Sequence, residues 1–587
     1  MRKKGVNNLK RWSKYIKPYL KYFISGPICM IIEVIGEMFM PILLATIINR
    51  ANAGTLTVTN SITTALIMIG IVLLMMGGGV GGAYFGAKAS VNFATDLRKD
   101  VYDKIQKYSF SNIDHFSTGS LVTRLTNDVT QMQNFCNMLL RMALRSPGMM
   151  IGGIIMAIML KPSLSVVLAV TMPMLVIVIG IIIMIGFPRF GRMQTKIDNL
   201  NSTVRENVTN VRVVKSFVRE DYEVDKFNNA NGELKNAGMS AVKVVIFMMP
   251  VMNFFMYATV IAVIWFGHGF VLAGPDVMEV GDLSAFIAYT TQILSSLMMI
   301  TVLLMTASRA MASAKRIKEV LDEKVDLDDI AAQNPDKVVE NGEIEFKNVC
   351  FRYYKNREEL VLDNINIKIP AKSTVGIIGS TGSGKTTLVS MIPRLYDVDE
   401  GEVLIDGVNV KDYSLLHLRD GVGMVLQKNV LFSGSIAENL RWGDLEATDE
   451  EIKEFATYSA ADKFISSFKE GYDTMLDKGG TNLSGGQKQR VCIARALLKK
   501  PKIIILDDST SAVDTATEAQ IRSSLKNSLP ECTKIIIAQR ISSVRDADQI
   551  IVINDGKITG IGTHDELLDN NAEYTEIFYS QMDKKEA

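Results

Sequence analysis

A bundle of six membrane-spanning helices followed by a soluble α/β domain is the fold class this sequence predicts, and three observations predict it. Apolar runs long enough to cross a bilayer all lie before residue 310. All but four of the 32 methionines precede residue 340, so composition changes abruptly along the chain. From about residue 343 short β-rich runs alternate with helical stretches, the pattern of an α/β domain. A chain of 587 residues is also too long for one core.

The spans are read at about 22–50, 62–87, 134–160, 163–187, 244–274 and 283–307, within a membrane domain covering 22–320. Residues 1–21 precede them with Arg2, Lys3, Lys4, Lys10, Arg11, Lys14 and Lys17. Among these bases Trp12, Ile16, Tyr19, Leu20 and Phe23 recur at helical spacing, which predicts an elbow helix lying at the interface. The apolar run that follows is too long for a cleaved signal peptide, and further spans come after it. The connection 51–61 carries no charge and 270–282 is acidic, whereas 88–133 and 188–243 are rich in Lys and Arg. The positive-inside rule therefore predicts a multi-pass protein with both termini cytoplasmic.

The two long inner connections are polar and helical in pattern, so the helices are expected to run on past the membrane. The pattern breaks near 112–121 (NIDHFSTGSL) and 206–217 (ENVTNVRVVKSF), which predicts a short helix at each tip. Gly77, Gly79 and Gly82 spell GxGxxG, but they lie inside an apolar span with no strand before them. Gly78, Gly82 and Gly86 repeat every four residues, so close helix packing is the better reading.

Several function classes fall away. With 64 Lys+Arg against 63 Asp+Glu the net charge is +1, which provides no field for nucleic acid. Cys29, Cys136, Cys350, Cys492 and Cys532 show neither a disulfide framework nor CxxC spacing, and the four histidines are isolated.

After a linker at 321–342, the soluble domain at 343–587 carries its chemistry in pieces. The strand 374–378 runs into Gly379, Ser380, Thr381, Gly382, Ser383, Gly384, Lys385, Thr386 and Thr387. This is a P-loop: glycines let backbone N–H groups curl around phosphates, the lysine reaches the outer phosphate oxygens, and Thr386 can hold Mg²⁺. An apolar strand ends at Asp507, where a carboxylate can hold the same metal through water. Between them Ser484, Gly485, Gly486 and Gln487 open a helix after Leu483, which makes a second anion site. One P-loop does not need a second anion site, so this one is expected to serve another chain's nucleotide.

The LSGGQ string, with its P-loop and following strand, resembles the ATP-binding cassette (ABC) proteins, and the fused six-span half resembles their exporters. The resemblance covers nearly the whole chain. It implies an α-helical six-span membrane domain fused to an α/β P-loop ATP-binding cassette domain, the type IV (type I exporter) architecture. It implies ATP and Mg²⁺ as cofactors, with Thr386, Gln427 and Asp507 around the metal. Tyr353 is similar to the aromatic that stacks on adenine, Gln427 to the glutamine that senses the γ-phosphate, and 511–514 to the loop that links two ATP sites. In such exporters two cassettes pair head to tail, and the short cytoplasmic helices dock on them.

Two positions depart from the family pattern. Asp508 stands where the family usually has the Glu that polarises the attacking water, and Gln539 where it usually has a histidine. Losing one methylene draws the carboxylate back by roughly 1.5 Å, which can stop general-base work while leaving ATP binding intact. Glutamine can donate to a phosphate but cannot become cationic. The pattern resembles the degenerate-site subunit of a heterodimeric bacterial multidrug exporter. This chain would then supply the Walker motifs of the degenerate site and the LSGGQ of the competent one, beside a second half-transporter in the cytoplasmic membrane. A homodimer with a slow Asp base, carrying lipid, peptide or siderophore, is the alternative within the fold; an ATP-gated regulatory membrane protein is the alternative outside it.

For cargo, Met248, Met249, Met252, Met256, Met298, Met299 and Met305, with Phe254, Phe255 and Tyr257, suit a small hydrophobic or amphiphilic substrate, or simply fill helix contacts. Glu33 and Glu37 lie one turn apart inside the first span, where carboxylates are costly. They either attract cationic amphiphiles or tie helices together.

Overall fold

A computed structural model of the chain describes residues 11–329, 332–355, 358–508 and 513–582, without the side chains of Val245, Met305 and Met582. The chain divides into two compact units, Met1–Ile105 with Gly119–Asp322, and Gln106–Thr118 with Glu323–Ala587.

The first unit is helical. Among the described residues six helical segments are long and apolar enough to cross a membrane: Arg11–Asn52, Val58–Gln106, Thr118–Leu160, Pro162–Thr209, Glu220–Leu272 and Val280–Asp322. The helix Val58–Gln106 has 49 residues, roughly 74 Å at 1.5 Å per residue. That is more than twice the hydrocarbon thickness, so the extension past the membrane follows from length alone. The third span is not one helix. It is broken between Val129–Met142 and Arg145–Leu160, and a π-helical turn at Arg124–Asp128 precedes it.

The expected tip helices differ in extent from their sequence ranges. Over 112–121 there are two helices, Phe110–His115 and Thr118–Thr123, because Ser109 caps the first one. Its hydroxyl accepts from the Asn112 backbone N–H at 3.1 Å, while the Asn112 side chain accepts from the Ser109 N–H at 3.2 Å. Over 206–217 the long helix persists to Thr209, and only Val211–Ser216 forms a separate helix. Residues 1–10 of the elbow lie outside the described residues; Ile16 caps a short 3-10 turn at Lys17–Tyr19.

The glycine repeat packs the first two spans. Gly78, Gly82 and Gly86 are all buried, and a Cβ on Gly78 would stand 2.8 Å from the Cys29 carbonyl oxygen. Only a glycine lets the two backbones come that close. Met252, packed with Leu175, Ile179 and Leu294, forms a core between helices, and Met248, Met256, Met298 and Phe255 pack against it. Met249, Phe254 and Tyr257 are instead exposed. The Met305 side chain lies outside the described residues.

Glu33 and Glu37 tie helices. Both carboxylates meet the Arg145 guanidinium of the third span, at 3.1 Å and 2.7 Å.

The second unit contains β1 (Ile344–Phe351), β2 (Leu362–Ile369), β3 (Thr374–Ile378), β4 (Glu400–Ile405), β5 (Val408–Asn409), β6 (Val422–Val425), β7 (Gly434–Ser435), β8 (Met475–Leu476), β9 (Ile503–Asp507), β10 (Thr533–Ile537), β11 (Gln549–Asn554) and β12 (Lys557–Gly562). An antiparallel sheet runs β2-β1-β4-β5, and a six-stranded sheet runs β12-β11-β3-β10-β9-β6. In the latter β11, β3, β10, β9 and β6 are parallel. Parallel strands are covered on both faces, so they read as unbroken apolar runs. Alternate residues of β9 accordingly enter opposite cores, Ile503 and Ile505 in one, Ile504 and Leu506 in the other.

Candidate functional site

The site is assembled by strand order. The P-loop leaves β3, Asp507 ends β9, Gln427 follows β6 by two residues, and Gln539 follows β10 by two. Because β3, β10, β9 and β6 are neighbours in one parallel sheet, their carboxyl ends lie side by side, where open α/β sheets hold ligands. In register, Ile537 of β10 pairs with Asp507 of β9 and Ile377 of β3. Four segments far apart in sequence thus meet around a cavity of about 280 Å³ that touches Tyr353, Thr381, Gly382, Gly384, Lys385, Thr386, Thr387, Gln427, Asp507, Asp508 and Gln539.

The loop's glycines are used for shape. Gly382 has φ 87° and Gly384 φ 100°, in the left-handed region that favours glycine. A Cβ on Gly384 would also meet the Val361 carbonyl at 2.9 Å, whereas one on Gly382 would meet nothing within 4 Å. The Lys385 ammonium donates to the carbonyls of Gly379 at 2.9 Å and Ser380 at 2.6 Å, and more weakly to the Ser383 hydroxyl. Burial pushes its pKa below the ordinary lysine range, against the pull of Asp507 and Asp508.

Asp507 is buried. Its Oδ1 accepts from the Thr386 hydroxyl at 3.1 Å, and among the described residues its Oδ2 has no hydrogen-bond partner. Burial raises its pKa, with the Thr386 bond acting in the opposite direction. A buried carboxylate oxygen without a partner, next to a hydroxyl, is costly unless a cation completes it. These residues therefore fit a magnesium nucleotide.

Asp508 follows with φ 47°, a conformation Asp tolerates better than most residues. Its Oδ2 accepts from Gln539 Nε2 at 2.9 Å and, at the limit of a hydrogen bond, from Gln427 Nε2 at 3.5 Å. Burial raises its pKa, and these two amides oppose the rise. Gln539 is itself held from behind: its carbonyl accepts from Gln581 Nε2 at 2.9 Å.

Tyr353 touches the loop through its hydroxyl, 2.9 Å from Thr387 Oγ1, and the residue is 42% exposed. It packs edge-on against Tyr396, with ring centres 5.2 Å apart, and the Tyr396 hydroxyl donates to Asp114 of the helix Phe110–His115 at 2.8 Å. Sequence reading missed Tyr396, which no motif marks. It missed Val361 and Ile537 in the cavity wall as well; strand alternation from Gln539 would have found Ile537.

Ser484, Gly485, Gly486 and Gln487 are not part of this cavity. They open the helix Gly485–Leu498 as a capping box, with the Gln487 Oε1 accepting from the Ser484 N–H at 2.8 Å. Gly379, Ser380 and Ser383 do not line the cavity; the Gly379 and Ser380 carbonyls instead accept from Lys385. Ser511 and Ala512 lie outside the described residues; Asp514 caps the helix Thr515–Ser528.

A membrane-spanning bundle and a P-loop cassette with a separate LSGGQ helix define a class, the ATP-driven membrane transporters. Comparison with known proteins makes it specific. Residues 23–297 match the ABC transporter transmembrane region, and residues 362–511 match the ABC transporter domain. The chain is 38% identical over 573 residues to the ABC transporter ATP-binding protein YfiB of Bacillus subtilis (strain 168), covering 97% of this chain and 98% of that protein. It is 33% identical to YgaD of the same organism, whose name proposes a multidrug export ATP-binding/permease protein, covering 98% and 99%. The solved structure of a bacterial Atm1-family ABC exporter with ATP bound superposes with a TM-score of 0.79 at 25% identity, over 96% of this chain and 98% of that one. The chain belongs to the ABC transporter family. It is an exporter half-transporter, an ATPase that uses ATP with Mg²⁺, and a multi-pass integral membrane protein that acts as a dimer.

Proposed function

We propose that this chain is one half of a heterodimeric exporter of amphiphilic or drug-like compounds, and that its own Walker motifs build the degenerate ATP site. Lys385 and the loop N–H groups bind the phosphates, Tyr353 carries the adenine, and Thr386, Asp507 and Gln427 hold Mg²⁺. The metal neutralises charge on the phosphates when bound. Ser484 to Gln487 cap the nucleotide of the partner, whose own site is expected to have the Glu and the His. Six spans with basic inner connections support cytoplasmic termini in a bacterial cytoplasmic membrane. The name of YgaD supports drug-like cargo.

The observation that carries this reading is the pairing of Asp508 with Gln539 at 2.9 Å. The short carboxylate already spends its Oδ2 on an amide that cannot take a proton onward. A general base must instead reach a water aligned with the γ-phosphate. Steady-state ATPase of the full chain purified alone tests it, beside Asp508→Glu with Gln539→His. A wild type with little turnover, revived at least tenfold by the double change, is expected. Brisk cooperative turnover by the wild type would overturn the degenerate-site reading and point to a homodimer.

A further inference from the structure

The cation-rich start of the first span has a feature that ATP chemistry does not use. Lys21 and the second-span Lys88 both bring their ammonium groups over one ring, that of Tyr22, at 5.0 Å and 5.1 Å from its centre. Lys88 also lies 3.3 Å from the Tyr84 hydroxyl and 5.5 Å from that ring. Tyr22 is itself stacked on Phe85, with ring centres 6.2 Å apart, so the platform is held by both helices.

Among the described residues neither Lys21 nor Lys88 has an ion-pair partner, whereas Lys14 pairs with Asp100 and Arg11 with Asp322. Two like charges gathered around one aromatic ring repel each other, and ring quadrupoles offset only part of that cost. An anion between them removes the repulsion.

The surroundings say which kind of anion. From Lys21 an exposed apolar column descends the first span at helical spacing, Ile24 (51%), Ile28 (51%) and Ile35 (52%). From Lys88 a second descends the next helix, Tyr84 (57%), Val80 (66%) and Met76 (60%). Both helices are apolar enough to span a membrane, and Lys21 and Lys88 flank the apolar runs read at 22–50 and 62–87, on the side of the basic elbow. A free phosphate would use the cations and leave these columns unoccupied. A phospholipid uses both.

We propose that Lys21, Tyr22, Tyr84 and Lys88 form a binding site for the headgroup of an anionic phospholipid, whose acyl chains lie along the two apolar columns. The site is separate from the ATP cavity and independent of the degenerate-site reading.

Native mass spectrometry of the full chain, released from detergent with dioleoyl-phosphatidylglycerol or dioleoyl-phosphatidylcholine added, tests it. The wild type is expected to retain one phosphatidylglycerol per chain in preference to phosphatidylcholine. Lys21→Gln with Lys88→Gln should weaken that retention about 10- to 30-fold. Lys14→Gln, whose ammonium Asp100 already neutralises, should leave it unchanged. Lys21→Arg with Lys88→Arg should restore it, and serves if the glutamine pair fails to fold. Equal retention of the two lipids, an unaffected glutamine pair, or an equal loss in Lys14→Gln would each overturn the site. So would inorganic phosphate displacing the lipid at low millimolar concentration, since that would make the pair a bare anion site.

Discussion

Neutralising Arg145 should damage this protein far more than neutralising either of its carboxylate partners. Arg145 starts the helix Arg145–Leu160, at the break in the third span, and its Nη2 meets Glu33 at 3.1 Å and Glu37 at 2.7 Å. Side-chain exposures of 25%, 14% and 17% place all three groups away from bulk water. The trio carries one surplus negative charge. Glu37→Gln removes that surplus and leaves Arg145 paired with Glu33, so the expected cost is about 1 kcal/mol, that of one exchanged hydrogen bond. Arg145→Gln leaves two carboxylates one helical turn apart without a cation. At roughly 6 Å and an effective dielectric of about 20, their repulsion alone is about 3 kcal/mol. Breaking a buried pair costs about 3–5 kcal/mol in general. SDS-driven unfolding of the full chain in mixed micelles, followed by the membrane-domain signal, measures the difference. The triple change of Glu33, Glu37 and Arg145 to Gln should recover most of the loss, because no net charge is then stranded. If Arg145→Gln and Glu37→Gln unfold within about 0.5 kcal/mol of each other, the tie is not electrostatic and the reasoning fails.

Two further outcomes follow from the cassette. Burial holds the Lys385 pKa below its ordinary value of 10.5, so the neutral amine forms earlier as pH rises, and the charged form is complete only well below that value. ATP affinity of the nucleotide-free chain should therefore fall on the alkaline side before ordinary lysines titrate, as measured by fluorescent-nucleotide titration between pH 7 and 10; Lys385→Arg should flatten that limb. Tyr396→Phe removes the hydroxyl that donates to Asp114 at 2.8 Å. In the assembled transporter it should leave basal turnover within about twofold while substrate stimulation drops about fivefold or more, given about 1.5 kcal/mol for a hydrogen bond to a charged group; unchanged stimulation would mean that the Tyr396–Asp114 bond plays no part in that response.

The sequence by itself determined the membrane spans, the α/β nature of the second unit and the motifs of the ATP site. Each of these is written in local terms: an apolar run of bilayer length, a period-two strand, a glycine-rich turn before a helix. The departures at Asp508 and Gln539 were legible too, because each stands at a fixed offset from a strand end. What the sequence left open depended on partners distant along the chain. Glu33 and Glu37 were ambiguous between recognition and helix packing until Arg145, more than a hundred residues on, was seen between them. The break in the third span and the Tyr353–Tyr396–Asp114 chain carry no local signature. Only the tertiary structure decided that Gln539 lies against Asp508, whereas the separation of Ser484 to Gln487 from the same cavity was already expected from the sequence. The physical reason is strand order: β10 inserts between β3 and β9, which brings the ends of three distant segments together, whereas the LSGGQ helix begins elsewhere in the unit.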